Sequence, residues 1–244
     1  MSLLDEAKGT SPSSAPKAVI VPHAGYVYSG LTAAAAYAGL ISARDKIRRV
    51  VLLGPVHRVP IKGLALSGAD AFETPLGEVA VDQSAVKLIS DLNQVVTSDA
   101  AHALEHSLEV QLPFLQTVLT DFKLVPIAVG EATAEEVAEV LGILWGGEET
   151  LIVISSDLSH FLPYYVAQSV DHDTVQNIID MQGNLSHDQA CGGTPINGFL
   201  LAARRHKLIP QLLDLRNSGD TAGDKNRVVG YASIAFSENK LNVQ

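Results

Sequence analysis

The sequence predicts an α/β protein, a three-layer α/β/α sandwich around one mostly parallel, mixed central sheet. Two observations predict it. Four short runs rich in Val, Ile and Leu (residues 18–21, 50–53, 124–129 and 151–155) are bounded by Pro, Gly or polar residues, which marks strands buried on both faces. Segments with helical spacing alternate with these runs, the pattern of a sheet covered by helices on both sides.

Taken in order, residues 1–16 are rich in Ser, Pro and Ala and read as a flexible tail, with residues 17–244 forming a single domain. After the first strand, Ser29 is a candidate N-cap for a helix through the alanines 33–36 to about Leu40, with Gly39 marking its end. Residues 63–82 hold short apolar pieces between Gly and Pro, a small β excursion. Leu108, Leu112, Leu115 and Leu119 stripe a helix expected to bend at Pro113. Thr133 and Glu136 have capping-box spacing, and Val137, Val140, Leu141 and Leu144 behind them share one helix face. Val166, Val170, Ile178 and Ile179 suggest a further helix. Residues 209–215 and 228–236 read as strands joined by a polar loop, the last of them antiparallel.

Composition narrows the function. A formal net charge of −10 lacks the basic footprint of a nucleic-acid or anionic-membrane binder. One cysteine, Cys191, excludes an internal disulfide and a Cys-rich zinc site, and fits a reducing compartment. There is no apolar run of membrane-spanning length, and the first residues lack the basic and apolar regions of a secretion signal. A cytoplasmic protein is expected, with neither nucleic acid nor membrane as partner.

The chemistry gathers at strand ends. His23 follows the first strand, His57 the second, and Asp157 and His160 the run at 151–155. Ligands of open α/β sheets bind outside the carboxyl ends of parallel strands, so three such ends present His, His and Asp/His toward one crevice. His102, His172, His187 and His206 lie in polar contexts and read as exposed surface residues. Cys191 precedes Gly192 and Gly193, with Thr194 as a candidate N-cap and Pro195 at the first helical position. A thiol at a helix N-terminus has its thiolate favoured, while the competing reading is a small, inert, buried side chain. Glu105, His106 and Glu109 crowd one turn, where a solvated helix face is the default.

Six blocks in this order, PHAGYVYSG, LLGPVHR, EHSLEVQLPFL, VISSDLSHF, ACGGTPI and VVGYAS, resemble the Memo-like proteins, called AmmeMemoRadiSam system protein B in prokaryotes. The resemblance runs from about Ala18 to Phe236. It implies a fold similar to class III (LigB-type) extradiol dioxygenases, which hold non-haem iron through two His and one carboxylate. By motif, it implies His23, His57 and Cys191 as metal ligands, His160 as the acid/base group with Asp157 beside it, and His106 as a pocket residue. Family members usually carry an upstream block with an aromatic Gly-x-Phe/Tyr-Pro-like pattern that this chain does not show, which implies a more open pocket.

The expected function is therefore a metal-binding protein, with Fe(II) the leading ion and copper or zinc as alternatives, since two His plus a thiolate suit those ions too. One expectation is a dioxygenase-type oxidoreductase acting on a small aromatic or chelating substrate. A second is a catalytically silent metal- or peptide-binding protein, for which Cys191 in place of the carboxylate argues. Zinc-assisted hydrolysis is a third.

Overall fold

The computed structural model describes residues 3–7 and 15–238. Helix α1 (Leu3–Ala7) packs on α2 (Tyr26–Ala38), so part of the stretch read as a tail is helical; residues 8–14 lie outside the described residues. The strands are β1 (Ala18–Val21), β2 (Arg49–Pro55), β3 (Leu64–Leu66), β4 (Ala71–Thr74), β5 (Gly77–Ala80), β6 (Val95–Thr97), β7 (Lys123–Val129), β8 (Thr150–Ser155), β9 (His160–Leu162), β10 (Ile209–Asn217) and β11 (Val228–Ser237). The remaining helices are α3 (Gln83–Ile89), α4 (Asp99–Ala103), α5 (Leu112–Val118), α6 (Ala134–Leu144), α7 (Tyr164–Ile179) and α8 (Gly193–Arg205).

The main sheet has the order β10-β11-β1-β8-β2-β7-β3-β6, with β9 on β11. Its centre, β1, β8, β2 and β7, is parallel, and β11 and β3 flank it antiparallel, which makes the sheet mixed as expected. β4 and β5 form a separate hairpin, the β excursion read in the sequence, whereas β3 joins the main sheet. Alternation along the central strands divides the core. Ile20, Val51, Leu53, Ile127, Ile152 and Ile154 pack under α3, α6, α7 and α8. Val19, Val21, Leu52, Leu124 and Val153 pack under α2 and α5. Two apolar faces on one sheet, each covered by helices, are the three-layer sandwich.

Several local details differ from expectation. Helix α2 begins three residues before Ser29, after Gly25; Ser29 lies inside the first turns and is buried, its hydroxyl donating to the Ala24 carbonyl at 2.8 Å. Pro113 does not bend a long helix. It sits in the first turn of α5, where its missing N–H costs nothing, and residues Glu109–Gln111 before it form a single 3-10 turn. α8 begins at Gly193 rather than after Thr194. The Thr133–Glu136 capping box at α6 forms in both directions, at 3.2 and 2.8 Å.

Gly198 on α8 lies directly against Val137 on α6, and a Cβ there would collide with that valine's side chain. Gly198→Val is expected to destabilise the protein by about 1–3 kcal/mol, the range for overpacking a tight core. Urea denaturation checks it.

Candidate metal centre at the carboxyl ends of the central strands

The parallel register aligns Val21 with Ser155, and Pro55 with Val129, so the chain segments leaving β1, β2, β7 and β8 emerge at one edge of the sheet. His23 leaves β1, His57 leaves β2, and Ser156 to His160 leave β8. The turn holding Glu105, His106 and Ser107 reaches the same edge from between α4 and α5. His23, His57 and His106 each bring a ring nitrogen within 4.8 Å of those of the other two. Their ring centroids are 5.0–5.5 Å apart.

The buried member is His23, with 2% of its surface exposed. Its Nδ1 lies 2.9 Å from Ser155 Oγ. That hydroxyl has one proton, which goes to the Ser107 carbonyl at 2.6 Å, because a carbonyl can only accept. Ser155 Oγ also accepts from Gln111 Nε2 at 2.8 Å, so toward His23 it is an acceptor and His23 Nδ1 carries the proton. The lone pair is left on Nε2. Gln111 is itself fixed by Tyr37, whose hydroxyl donates to Oε1 at 2.8 Å, and by donation to the Pro22 carbonyl at 2.9 Å. This buried chain runs from the helical layer to the imidazole. Burial, with smaller contributions from His57 and His106, pushes His23 down to about 4, against a rise from Asp157. It is uncharged at neutral pH, as a ligand must be. Gln111→Leu would leave the Pro22 carbonyl and the Tyr37 hydroxyl without these partners. A loss of about 1–3 kcal/mol is expected, readable by thermal or urea unfolding.

His57 is organised by Glu105. Its Nδ1 donates to Oε1 at 2.8 Å and its backbone N–H to Oε2 at 2.6 Å. The same Oε1 accepts the backbone N–H groups of His106 and Ser107, each at 2.9 Å. One buried carboxylate thus sets the turn that carries His106 and commits His57 Nδ1 as the donor, freeing Nε2. Histidines that bind metals are typically held this way through the second ring nitrogen. Burial alone would raise Glu105, but hydrogen bonds from the His57 ring and from the Ser107 and His57 N–H groups outweigh it and hold the carboxyl down to about 2.

Cys191 Sγ lies 3.3 Å from His23 Nε2, so it joins the cluster through that residue. Burial and nearby Asp157 push the thiol up to about 12, against the lowering expected from a helix N-terminus; hydrogen bonds from Ser156 and Gly192 do not compensate. Asp157 does not orient His160. Its Oδ1 accepts the backbone N–H groups of His23 and Ala24, at 2.8 and 3.3 Å, and so it holds His23. His160 Nδ1 instead donates to the Leu158 carbonyl at 2.8 Å, leaving Nε2 as an acceptor. His106 and Glu109 do not share a helix face, because residue 106 lies in a turn before the 3-10 segment.

A crevice of about 1150 Å³ opens over this edge, bordered by His57, His160, His187 and Cys191 and walled by apolar residues such as Ile61, Val129 and Leu162. His187 was read in the sequence as a surface residue. It is exposed, yet it belongs to this wall, its Nδ1 3.3 Å from the Cys191 carbonyl. His102, His172 and His206 lie elsewhere: His102 bonds the Ala65 carbonyl, His172 borders a small cavity beside α7 and β10, and His206 stacks on Trp145. Glu105, Ser155 and Gln111 had no signal as site residues beyond standing in or beside the EHSLEVQ and VISSD motifs, since the partners that fix them in the site are 44 to 132 residues away.

Fold and cluster define an α/β/α protein with three histidines, gathered at the carboxyl edge of its parallel strands, that can hold a metal ion. The family model described as Memo-like protein matches residues 2–235. The chain belongs to the Memo-like family. It is 34% identical over 244 residues to a MEMO1 family protein of Metallosphaera sedula, covering 94% of this chain and 86% of that one. Similar relatives are MEMO1 family proteins of Aquifex aeolicus (36% identity; 91% and 86% covered) and Archaeoglobus fulgidus (37%; 90% and 86%). Among solved structures, the fold is similar to the crystal structure of the uncharacterized protein JW3007 from Escherichia coli K12. The TM-score is 0.53 at 15% identity, covering 89% of this chain and 98% of that one. Among the described residues no helix is long and apolar enough to cross a membrane.

Proposed function

We propose that the protein binds a divalent metal ion through His23 and His57, with His106 as a third nitrogen donor and the Cys191 thiol as the fourth neighbour, and that it is a dioxygenase-type oxidoreductase acting on a small aromatic or chelating substrate. The observation that carries the metal reading is the commitment of both His23 Nδ1 and His57 Nδ1 to protein acceptors, which leaves the lone pair of each ring on Nε2, that of His23 facing the Cys191 thiol at 3.3 Å. Imidazole donors suit Fe(II), Zn²⁺ and copper, and Fe(II) is the ion that matches oxygen chemistry. Such an ion, when bound, supplies chelation of a diol and activation of O₂. The chain's own residues supply the rest. Apolar walls receive a planar ring, His160 Nε2 takes the proton of a substrate hydroxyl, and Glu105 and Asp157 keep the donor histidines in place.

The first test is elemental analysis of protein purified without chelators, repeated on His106→Ala and Cys191→Ala to rank the third and fourth donors. The second is O₂ uptake by anaerobically Fe(II)-loaded protein with a panel of catechols. Stoichiometric metal with no uptake across the panel would replace the oxidoreductase with a catalytically silent metal- or peptide-binding protein, the reading favoured by a thiol, rather than a carboxylate, beside His23.

A further inference from the structure

One buried carboxylate takes no part in the histidine cluster. Asp171, on α7, is 2% exposed. Its Oδ1 accepts the backbone N–H of Ser159 at 3.0 Å, and its Oδ2 is buried without a hydrogen-bond partner. Among the described residues no ion pair involves it. The small cavity beside it also holds His172, Arg216 and Asp220. There Arg216 is taken by Asp214, and Asp220 accepts from the Tyr164 hydroxyl and the Asn217 N–H. Burial raises the Asp171 carboxyl, against a lowering from Ser159 and from the charge of His160 on β9. Burying a carboxylate for a single hydrogen bond costs the fold stability. The chain still leaves room for it, because a Cβ on Gly230 of β11 would strike that carboxylate.

The one bond of Asp171 leads to His160. The Ser159 N–H and the Leu158 carbonyl belong to the same peptide unit, and that carbonyl accepts His160 Nδ1–H at 2.8 Å. The peptide is trans, so its N–H and C=O point in opposite directions. Carboxylate, peptide and imidazole therefore form one chain of hydrogen bonds. Bonds in such a chain polarise one another, and a negative charge on the N–H makes the carbonyl a stronger acceptor for the imidazole proton. Gly230 fixes the flanking groups, accepting the Leu158 N–H at 2.8 Å and donating to the Ser159 carbonyl at 2.9 Å.

We infer that Asp171 is the positioning residue of His160, acting through the Leu158–Ser159 peptide to keep a proton on Nδ1 and to support the imidazolium once Nε2 has taken the substrate proton. The inference rests on the proton-transfer role of His160 proposed above and adds the group that sets it. A carboxylate bonded directly to a catalytic histidine performs the same two tasks. Here a peptide unit stands between them. Asp157, the neighbour in the chain, does not supply this partner, because it is bonded to the His23 and Ala24 N–H groups.

Asp171→Asn removes the charge and keeps the shape, since an amide oxygen still accepts the Ser159 N–H. The experiment follows the His160 ring by nitrogen NMR of the metal-stripped, histidine-labelled full-length chain at neutral pH, with His160→Gln to assign its signals. In the wild type, the ring should carry its proton on Nδ1. In Asp171→Asn, the share of the Nε2–H tautomer should rise about 2–10-fold, the worth of one ordinary hydrogen bond. The thermal midpoint should be unchanged or higher, because a buried charge is gone. Turnover of any catechol that the Fe(II)-loaded wild type oxidises should fall by a similar factor at unchanged KM. Gly230→Ala crowds the same carboxylate from β11 and should move the ring signals in the same direction. Folded Asp171→Asn with wild-type His160 ring signals, whatever its midpoint, would reduce Asp171 to a structural residue and overturn the inference. A ring that responds in a protein without turnover on any catechol would support the coupling of Asp171 to His160 and overturn only the oxidoreductase reading.

Discussion

Replacing His57 with alanine is expected to lower divalent-ion affinity by at least about 100-fold, because loss of a mere outer partner already costs about 10–100-fold. The variant removes one of the three ring nitrogens that lie within 4.8 Å of one another. The backbone around it survives, since Glu105 still receives the N–H groups of residues 57, 106 and 107. The turn carrying His106 stays in place, and the deficit reports on the missing donor. The His57 side chain opens onto the crevice, 30% exposed, so deletion creates no closed cavity and only a small stability change. His160→Ala is the matched control. It lies on the crevice wall and its Nδ1 is tied to a local carbonyl, so metal affinity should remain within about two-fold of wild type while any turnover falls. Metal retained by His57→Ala at wild-type affinity would remove His57 from the donor set and transfer the burden to Cys191, the other group in contact with His23.

What the sequence makes legible here follows from the range of the interactions concerned. The central strands are readable because each is a run of Val, Ile and Leu whose burial on both faces leaves no alternation to confuse. The capping box of α6 is readable because it closes within four residues. The start of α2 is not, because Gly25 caps it without a side chain and the nearest hydroxyl, Ser29, serves an interior bond instead. The same division runs through the site. His23 and His57 are visible as residues at strand ends, a positional signal that needs only the strands. The tautomers that leave their lone pairs on Nε2 depend on Ser155, Gln111 and Glu105, whose bonds span 44 to 132 residues. Asp157 shows the limit most clearly. Its nearness to His160 in the chain suggests a dyad, yet the strand order places β1 beside β8, and the carboxylate turns to the backbone of His23.

Acidification is the second large effect, and its sign is set by the same burial. The metal-free protein is expected to lose stability as the pH falls from about 6.5 to 4, before ordinary carboxylates titrate. His23 has its folded value pushed down to about 4 by burial, below the ordinary 6.5 that it regains when unfolded. The unfolded chain therefore binds the proton first. Stability is complete above 6.5 and drains as the pH falls toward 4, by at most about 3 kcal/mol from this group. Glu105 continues the loss at lower pH. Its folded value of about 2 lies below the ordinary 4.5, so the stability it contributes is present above 4.5 and is lost between 4.5 and 2. The two windows adjoin, and the site that holds His23 neutral and Glu105 charged makes the fold acid-labile over the whole span. His23→Gln separates the contributions, because an uncharged side chain in the same place cannot titrate. Its unfolding free energy, measured by urea at successive pH values, should decline less steeply than the wild type's from pH 6.5 to 4, the remaining slope coming from His102 and His206, which burial also lowers, and should run parallel to the wild type below 4. Parallel curves for the two proteins across the upper window would show that the imidazole at position 23 is not the group that takes up the proton on unfolding.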